Sequence, residues 1–566
     1  MLKKSSSKTL IKSISCILCA GIITGTFCCN IAKAATPTDI FEQKQKNQQI
    51  EKDRENKNQQ EDVFLQKKKA LIDKDKLPQE EKSFQVNNIV LAGEKLDRFQ
   101  WLQTQIKKYE NQKIGKEGIN IILKNAENEL INRGFVTTRL VIPEQNLSGG
   151  TLKFLIIPGI IGDIKFTEET DGRWSNAFTI KHGDILNIRD LEQGLEQMKR
   201  VASQDVDIKI EPGAKAGESN ILLTLKKTNP LRLDLSFDDS GSEKSGKMQM
   251  STTLSIDNLT KNNDLFYATY TTDIDGKEDE KGTHGKNFYY SIPFGYYTVS
   301  LMTSKNKYHQ SVAGTNQNFI YSGISNNQEL RIEKIINRNQ VSKTGLKYRL
   351  IKRESRSFLE DAEFINQRKE TTASEIGINH RHYYGKTVLD TELSYKWAVP
   401  WLGAKLGETT SSQDPTNKYR MWIFDTNLTT PLKLGKIMGR YSMNIRGQYT
   451  NNVLYNIDQF SIGNRYTVRG FDGEQNLSAE NGFYIRNEIS IPAEPGHEMY
   501  IGLDYGKVSG PSAKYLLGKE LIGAVLGFRG SLGHATYDVF TGWPIKKPEG
   551  FTTASNTLGF RINVEY

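Results

Sequence analysis

The feature that most constrains the fold is a two-residue alternation that runs from Leu231 to Tyr566 without an intervening helical pattern. In residues 231–237, leucine and phenylalanine occupy every second position, and charged or small polar residues lie between them. Residues 389–397 and 558–566 repeat this pattern, with a tyrosine at the C-terminus. Because successive side chains of a strand point to opposite faces, each segment presents one apolar and one polar face. The region is therefore predicted to consist of β-strands.

The N-terminus carries the pattern of a cleaved export signal. Four lysines lie between residues 3 and 12, an apolar stretch covers residues 14–27, and residues 32–34 (Ala-Lys-Ala) place small side chains at the spacing that signal peptidase requires. The apolar stretch is shorter than the about 20 residues that cross a membrane as a helix, which disfavours the alternative of an N-terminal anchor. Residues 1–34 are therefore predicted to be removed.

Strands with one apolar and one charged face suit either a soluble β-sandwich or propeller, or a transmembrane barrel with a wet lumen. The export signal and the aromatic C-terminal residue favour the barrel. Beyond the signal no apolar run approaches the length of a transmembrane helix, and in lipid a closed barrel then satisfies the backbone. Sixteen crossings of about 10 residues would leave about a dozen residues per connection, and fourteen or eighteen strands would also fit.

Composition excludes several classes of function. All four cysteines lie in residues 1–34, so the mature chain has no disulfide, cysteine nucleophile or cysteine metal site. The signal carries five lysines and no acid, so its removal lowers the formal charge from +10 to +5, too small an excess to indicate nucleic-acid binding. No phosphate loop, dinucleotide fingerprint or nucleophile elbow occurs, so no catalytic residue and no cofactor are predicted.

Two histidines raise the question of a metal site. His380 and His382 alternate on a predicted strand, and two such ligands make a weak site. They are interpreted as lumen-facing or loop histidines, and no metal is predicted.

The segment that follows the signal is polar throughout. Residues 36–82 are nearly all Gln, Lys, Glu, Asn and Asp, and they contain no glycine. Thr36 and Pro37 form a possible helix start. An isolated charged helix and a disordered spacer both fit this composition.

Residues 84–228 show the same order of elements twice. In the first unit, a strand pattern at residues 84–93 precedes a helical pattern that ends at Gly134, and two strands follow. In the second unit, a strand precedes a helix over residues 189–203 with Asn187 as its N-cap, and two more strands follow. Two β-α-α-β-β modules of about 70 residues match the size of small domains. An open edge of such a sheet can add an extended polypeptide as a strand, and the alternative is that the units are spacers.

Several segments, in their order along the chain, resemble the two-partner secretion transporters of the ShlB/FhaC/HecB family (haemolysin secretion/activation proteins), within the BamA-type superfamily. Residues 134–164 are similar to the family's first polypeptide-transport-associated (POTRA) module running into its second, and residues 183–200 resemble the helix of the second module. Residues 459–490 and 500–508 resemble the late barrel motifs.

The resemblance implies α+β periplasmic modules (two POTRA, β-α-α-β-β) followed by a transmembrane antiparallel β-barrel of 16 strands in the outer membrane of a Gram-negative bacterium. The implied segments are a signal peptide (1–34), a polar N-terminal plug helix and linker (35–82), POTRA module 1 (83–159), POTRA module 2 (160–229) and the barrel (230–566). A helix before the modules can plug the barrel in this family, so residues 37–59 are expected in the charged lumen.

In this family a V-R-G-F/Y kernel lies at the tip of a long loop that folds back into the barrel, and its arginine pairs with an aspartate on the inner wall. The matching kernel here is Val468, Arg469, Gly470 and Phe471. The matching aspartate is Asp504, which the alternation of residues 501–505 also points into the lumen. Gly502 stands where the superfamily often has phenylalanine.

The implied function is transport without catalysis. The modules would capture an unfolded exoprotein of haemolysin or adhesin type, which carries an N-terminal secretion domain, and the barrel would pass it to the surface and possibly activate it. Other expected partners are outer-membrane lipid and the barrel-assembly machinery, and the chain is expected to be monomeric. One alternative is a barrel-assembly insertase, although such proteins usually carry more modules. The other is a passive porin or adhesin, which would need neither the modules nor the arginine pair.

Overall fold

The computed structural model describes residues 62–65 and 76–566, apart from residues 276, 278, 315–316, 408–410 and 412–413. The predicted signal peptide, its cysteines and the plug helix lie outside the described residues. The described chain forms two small α+β modules and one large closed barrel. No helix in this part of the chain is both long enough and apolar enough to span a membrane.

The first module is a three-stranded sheet covered by two helices. Its elements are β1 (Ser83–Val86), β2 (Asn88–Gly93), α1 (Gln100–Ile106), β3 (Gln112–Gly115), α2 (Lys116–Asn132), β4 (Arg139–Val141) and β5 (Thr151–Ile157). The sheet order is β2-β5-β4, with β2 parallel and β4 antiparallel to β5, and β1 pairs separately with β3. Val86, Ile89 and Leu91, the apolar residues that lie among polar ones in this part of the sequence, are buried. Gly134 follows α2 with a φ of 96°, which confirms the predicted helix stop.

The second module repeats this sheet with one helix. Its elements are β6 (Ile160–Phe166), α3 (Ile188–Lys199), β7 (Gln204–Pro212) and β8 (Glu218–Lys227). The order is β6-β8-β7, with β6 parallel and β7 antiparallel to β8. The Asn187 side chain accepts a hydrogen bond from the Arg189 backbone N–H at 2.9 Å, which confirms the predicted N-cap. A turn at residues 174–178 stands in place of a first helix, so the predicted β-α-α-β-β order is wrong for this module, whose described order is β-α-β-β.

The barrel follows directly. Its strands and the short strands of its loops are β9 (Leu231–Asp238), β10 (Gln249–Asp257), β11 (Leu265–Asp273), β12 (Lys281–Phe294), β13 (Tyr297–Ala313), β14 (Asn318–Arg338), β15 (Ser342–Leu359), β16 (Ala362–Glu363), β17 (Lys369–Tyr384), β18 (Thr387–Ala398), β19 (Arg420–Leu434), β20 (Ile437–Tyr449), β21 (Phe460–Ile462), β22 (Leu477–Ala479), β23 (Asn481–Glu494), β24 (His497–Ser509), β25 (Glu520–Leu532), β26 (Ala535–Lys546) and β27 (Thr557–Glu565). In the described residues, sixteen of these strands close the antiparallel barrel, while β16, β21 and β22 belong to loops. The predicted strand number is confirmed.

The barrel closes where its last strand meets its first. β27 pairs with β9 from Arg561 opposite Asp238 to Glu565 opposite Asp234. Beyond that ladder, Leu233 and the C-terminal Tyr566 exchange backbone hydrogen bonds of 3.0 and 2.9 Å. The aromatic terminus is therefore part of the closing seam.

The alternation in the sequence separates the two faces of the wall. In β24, the Ile501 and Leu503 side chains are 58% and 56% exposed on the outer face. Asp504, between the outward Leu503 and Tyr505, is fully buried inside. The apolar face is thus the outer one, as expected for a barrel in lipid.

The turns at the end of the barrel that faces the modules are short. Five of them connect strands with two residues, and a glycine with positive φ lies in each: Gly295, Gly385, Gly435, Gly496 and Gly533. Two-residue turns of this kind require a backbone conformation that glycine adopts without strain. These turns form part of the rim of the barrel, and the turn at Gly295 contacts the second module.

Candidate functional site

The loop between β20 and β23 returns into the barrel. Its two arms pair with each other as β21 and β22 over three residues. Its tip carries the kernel predicted from the sequence, and Val468, Arg469 and Phe471 are all buried there, with Arg469 only 5% exposed. The loop therefore presents its arginine to the inner wall and not to solvent.

Arg469 binds two carboxylates of the wall. Its Nε donates to Asp504 Oδ2 at 2.8 Å and its Nη2 to Asp504 Oδ1 at 3.0 Å, while its backbone N–H donates to the same carboxylate at 3.0 Å. Its Nη1 donates to Glu488 Oε2 at 2.6 Å. A two-pronged guanidinium–carboxylate contact fixes the direction of the side chain as well as its position. Sequence reasoning missed Glu488, although inward parity with Arg486 on β23 is a signal that points to it.

Three wall glycines leave the space that the loop tip fills. A β-carbon at Gly502 would lie 2.4 Å from Arg469 Nη2, and one at Gly523 would lie 1.8 Å from Arg469 O. A β-carbon at Gly542 would lie 2.8 Å from Gly470 Cα. Distances below 3.0 Å leave no room for a side chain. Gly502, where the sequence resemblance implied a phenylalanine, is thus the position at which the guanidinium approaches the wall.

The rest of the tip is held by backbone conformation and aromatic packing. Gly470 has a φ of 97°, in the region that favours glycine, and any β-carbon there would lie 2.4 Å from Trp543 O. The ring of Phe471 meets that of Phe551 edge-on, with centroids 5.9 Å apart. Phe551 is buried in the loop between β26 and β27, so the tip is anchored by a second loop as well as by the wall.

A second arginine of the loop contacts the seam of the barrel. Arg465 Nη1 donates to Asp239 Oδ1 at 2.7 Å, and the same oxygen accepts from the Phe560 backbone N–H at 2.9 Å. Asp239 follows β9 and Phe560 lies in β27, so this contact joins the loop to both closing strands. Sequence reasoning missed Arg465 because the family kernel begins three residues later.

The second module docks on the rim through α3. Gln197 Nε2 donates to Gly295 O at 2.9 Å, and the Tyr296 hydroxyl donates to Asp190 Oδ1 at 2.6 Å. Burial raises the pKa of the Asp190 carboxyl, and the hydrogen bond from Tyr296 opposes that rise. Polar groups from both partners are thus satisfied across the contact.

Arg338 forms the centre of this junction. Its Nη1 and Nη2 donate to Glu196 Oε2 and Oε1 at 2.7 and 2.6 Å, and its Nε donates to Glu192 Oε2 at 3.3 Å. The side chains of Arg338 and Glu192 are 1% and 0% exposed. Arg189 and Lys343 also bind these glutamates, at 2.8 and 3.1 Å respectively. A buried cluster of three cations and two carboxylates thus joins the module to the barrel.

Residues 62–65 pass through the same cluster. The Val63 and Leu65 backbone N–H groups donate to Glu196 and Glu192 at 2.7 and 2.8 Å. Asp62 reaches the barrel wall, where Lys343 donates a hydrogen bond to it. None of these contacts was predicted, because the composition of residues 36–82 gives no sign of a fixed position.

The two histidines do not lie where the sequence interpretation placed them. Asn379 and Arg381 of β17 point inward, to Glu333 and Asp390. His380 and His382 therefore lie on the outer face, so the lumen-or-loop interpretation is wrong, because strand parity decides the face. Among the described residues, no group of three or more His, Cys, Asp or Glu side chains is arranged to hold a metal ion.

Comparisons with known proteins agree with this architecture. The family model described as haemolysin secretion/activation protein ShlB/FhaC/HecB matches residues 217–530. Two POTRA models, the first of ShlB type, match residues 84–159 and 160–212. The resemblance inferred from the sequence motifs is confirmed.

Individual relatives cover most of the chain. It is 40% identical over 477 residues to the outer membrane transporter CdiB-2 of Burkholderia pseudomallei (strain 1026b), which covers 83% of this chain and 82% of that protein. It is 28% identical over 411 residues to the hemolysin transporter protein HpmB of Proteus mirabilis, covering 70% and 71%. The solved structure of CdiB from Acinetobacter baumannii superposes with a TM-score of 0.84 at 28% identity, covering 94% of this chain and 99% of that one. The chain therefore belongs to the ShlB/FhaC/HecB family of haemolysin secretion/activation proteins and is a two-partner secretion transporter of the outer membrane, with POTRA domains in the periplasm.

Proposed function

We propose that the POTRA modules capture an unfolded exoprotein by adding one of its segments as a strand, and that the barrel then passes the chain outward past the folded-back loop. The cargo would be of haemolysin or adhesin type with an N-terminal secretion domain. The similarity to a transporter named for hemolysin supports this cargo class. Because the named relatives are transporters, we propose no enzymatic activity.

The observation that carries this proposal is the long outer edge of β7. In the first module, the β2 edge is already capped, since the Ile89 and Leu91 backbone N–H groups donate to Glu110 and Gln103 side chains at 2.9 and 2.6 Å. β4 has three residues, and β6 begins with a bridge to residue 185. β7 has nine residues, and within the described chain no strand pairs with its outer edge. An open edge of that length can accept a strand of cargo.

We keep the domain limits predicted from the sequence, with capture of the cargo assigned to the two modules and its passage to the barrel. We propose modules at 83–159 and 160–229 and a barrel at 230–566. The breaks between β5 and β6 and between β8 and β9 fall near these limits. One chain closes its own barrel, which supports a monomer, and the apolar outer face would contact lipid. Insertion into the membrane would depend on the barrel-assembly machinery.

Two internal elements would control the passage. The Arg469–Asp504 pair would hold the loop in its folded-back position, and the segment at 37–59 would occupy the lumen as a plug helix. The position of residues 62–65 supports the plug, because Asp62 contacts Lys343 and Arg381 of the barrel wall.

The test is photo-crosslinking in cells that export a co-expressed exoprotein. A photoreactive residue at Asp207, exposed on β7, should form adducts with the cargo. The matched position is Val90, which is also exposed but lies on the capped β2, and it should form few adducts. Cargo adducts at Val90 and none at Asp207 would contradict the proposed edge. Cargo that stays in the periplasm with the wild-type transporter would contradict the cargo itself.

A further inference from the structure

Three of the contacts that hold residues 62–65 are made with the main chain. The Val63 and Leu65 N–H groups donate to Glu196 Oε1 and Glu192 Oε1 at 2.7 and 2.8 Å. Arg338 Nη2 donates to Val63 O at 2.6 Å. Main-chain groups are the same in every residue except for the N–H that proline lacks. The three contacts would therefore accept many sequences.

The spacing of the two glutamates matches an extended chain. Glu192 and Glu196 are one helical turn apart on the same face of α3, which is about 6 Å along the axis. Two residues of an extended strand advance by about 6.7 Å, and Val63 and Leu65 are two residues apart. The segment runs antiparallel to α3, because the earlier N–H meets the later glutamate. The helix thus offers carboxylate oxygens at the positions where a strand edge would offer carbonyl oxygens.

These carboxylate acceptors are stronger than carbonyl groups and lie among cations. Hydrogen bonds to ionised groups are shorter and roughly twice as strong as neutral ones. Arg338, Arg189 and Lys343 surround the two glutamates at 2.6 to 3.3 Å. When the peptide leaves, each glutamate oxygen keeps a cationic donor but loses a main-chain N–H, whose position water or another peptide can take.

The neighbouring side chains add a preference. Asp62 accepts hydrogen bonds from Lys343 and Tyr383, and Arg381 approaches it at 3.5 Å. The Phe64 ring meets the Tyr383 ring edge-on with centroids 5.2 Å apart. Val63 packs on the apolar core of the second module. The place therefore prefers an acidic residue followed by an aliphatic and then an aromatic one.

The place opens into the lumen. A cavity of about 470 Å³ inside the barrel is lined by Asp62, Glu196, Lys343 and Arg381, among other residues. A chain that follows the line of residues 62–65 therefore passes from the second module into the barrel. The same line is the path that exported cargo needs at the barrel entrance.

We propose that the cluster of Glu192, Glu196, Arg338 and Lys343, the entrance cradle, is a binding site for an extended segment of the cargo. Residues 62–65 are its internal stand-in, and cargo displaces them at the start of export. This inference rests on the proposed function and deepens it by naming where the cargo chain is held between capture and passage.

The first test places a photoreactive phenylalanine at position 383, beside Phe64. Without cargo, it should crosslink within the chain to residues 62–65, as mapped by mass spectrometry. With a cargo stalled by a folded, disulfide-closed domain, it should crosslink to the cargo, and the internal adduct should fall at least severalfold. Persistence of the internal adduct at the same yield, with no cargo adduct, would overturn the cradle. Secretion of unstalled cargo by the wild type is measured in parallel, so loss of transport itself is recognised separately.

The second test uses purified full-length protein with Asp62→Ala, which weakens the internal segment. The probe is a fluorescent peptide with the sequence of residues 60–67, and binding is followed by anisotropy. N-methylation of its Val63 and Leu65 nitrogens should weaken binding about tenfold or more, because it removes both donors. N-methylation at Phe64 is the matched control and should cost much less. Equal binding of the three peptides, or no binding of the unmodified one, would overturn the cradle.

Discussion

Two buried arginines form ion-pair clusters at different places in the barrel. Arg469 holds the folded-back loop in a fixed position, whereas Arg338 takes part in a contact that can be exchanged. Arg469 pairs with Asp504 and Glu488, and Arg338 pairs with two glutamates of α3. The carboxylates of the loop site lie on β23 and β24, neighbouring strands of one hydrogen-bonded wall. The carboxylates of the junction belong to a separate module. The first set cannot move without the barrel, whereas the second moves with the module.

The two sites also differ in what remains when the arginine is removed. At the junction, Glu192 keeps Arg189 at 2.8 Å and Glu196 keeps Lys343 at 3.1 Å. At the loop site, Glu488 keeps Arg529 at 2.7 Å, but the second cation near Asp504 in the described chain is Arg486, at 4.0 Å. An unpaired buried charge is the expensive outcome, so the loop site depends more on its single arginine.

The largest effect is expected from Arg469→Ala. It leaves Asp504 buried without its forked partner, which should cost the folded-back position about 3–5 kcal/mol. Export of cargo into the medium should fall at least tenfold at equal barrel levels in the outer membrane. Arg469→Lys is the control, because it keeps the charge and loses the fork, and it should recover only part of the export. Unchanged export by Arg469→Ala would show that export does not depend on the Arg469–Asp504 pair holding the loop.

Gly523→Ala tests the fit of the loop without touching a charge. Its β-carbon would lie 1.8 Å from Arg469 O, so the loop tip must shift. Overpacking of this kind costs typically about 1–3 kcal/mol, and export should fall less than with Arg469→Ala. Gly447→Ala on β20 is the matched variant, since its β-carbon would make ordinary contacts of 3.5 Å. If both variants export alike, the shape of the wall is not what positions the tip.

Arg338→Ala should have a smaller effect on stability than Arg469→Ala, because both glutamates keep a cation. A cost of about 1–3 kcal/mol is expected for the hydrogen bonds that are lost. The main consequence should be release of residues 62–65, measured as higher ion conductance of the purified protein in planar bilayers. Lys199→Ala on the same helix is the control, because its ion pair with Asp205 is partly exposed. Identical conductance of the two variants would mean that the junction does not hold the linker.

The wall was predictable because alternation reports the solvent on each face directly. The apolar side chain of Leu503 and the charged side chain of Asp504 predict the outer and the inner face of the wall. The sheet must close because in lipid every backbone N–H and C=O group needs a partner within the protein. The partner of Arg469 needed more than alternation. Many inward charges share the parity of Asp504, and the resemblance to a family selected it among them.

The junction was not predictable, for a physical reason. Arg338 and Glu196 are 142 positions apart in the sequence. The local pattern around each residue predicts its strand or helix, but it carries no sign that the two side chains meet. The glycines that admit the loop tip were also hidden. A glycine inside a strand can mark a bulge, a bend or a close approach, and the sequence does not distinguish these cases.

The smallest effect on stability is expected at a third contact, which joins the second module to the barrel and is exposed to solvent. It can be compared with the buried contacts of Arg469 and Arg338. Asp171 of the second module accepts hydrogen bonds from Lys227 and from Lys261 of a rim turn, and these lower its pKa to about 2. Since its pKa lies below the usual 3.8, its stabilisation is fully present above pH 3.8 and is lost as the pH falls toward 2. Asp171→Asn should lower the melting temperature of the full chain by less than about 2 °C at pH 7, because exposed pairs contribute little. The difference between wild type and variant in scanning fluorimetry should shrink as the pH falls through about 2 and vanish below it. A difference as large as that of Arg338→Ala would mean that exposure does not separate the two kinds of contact.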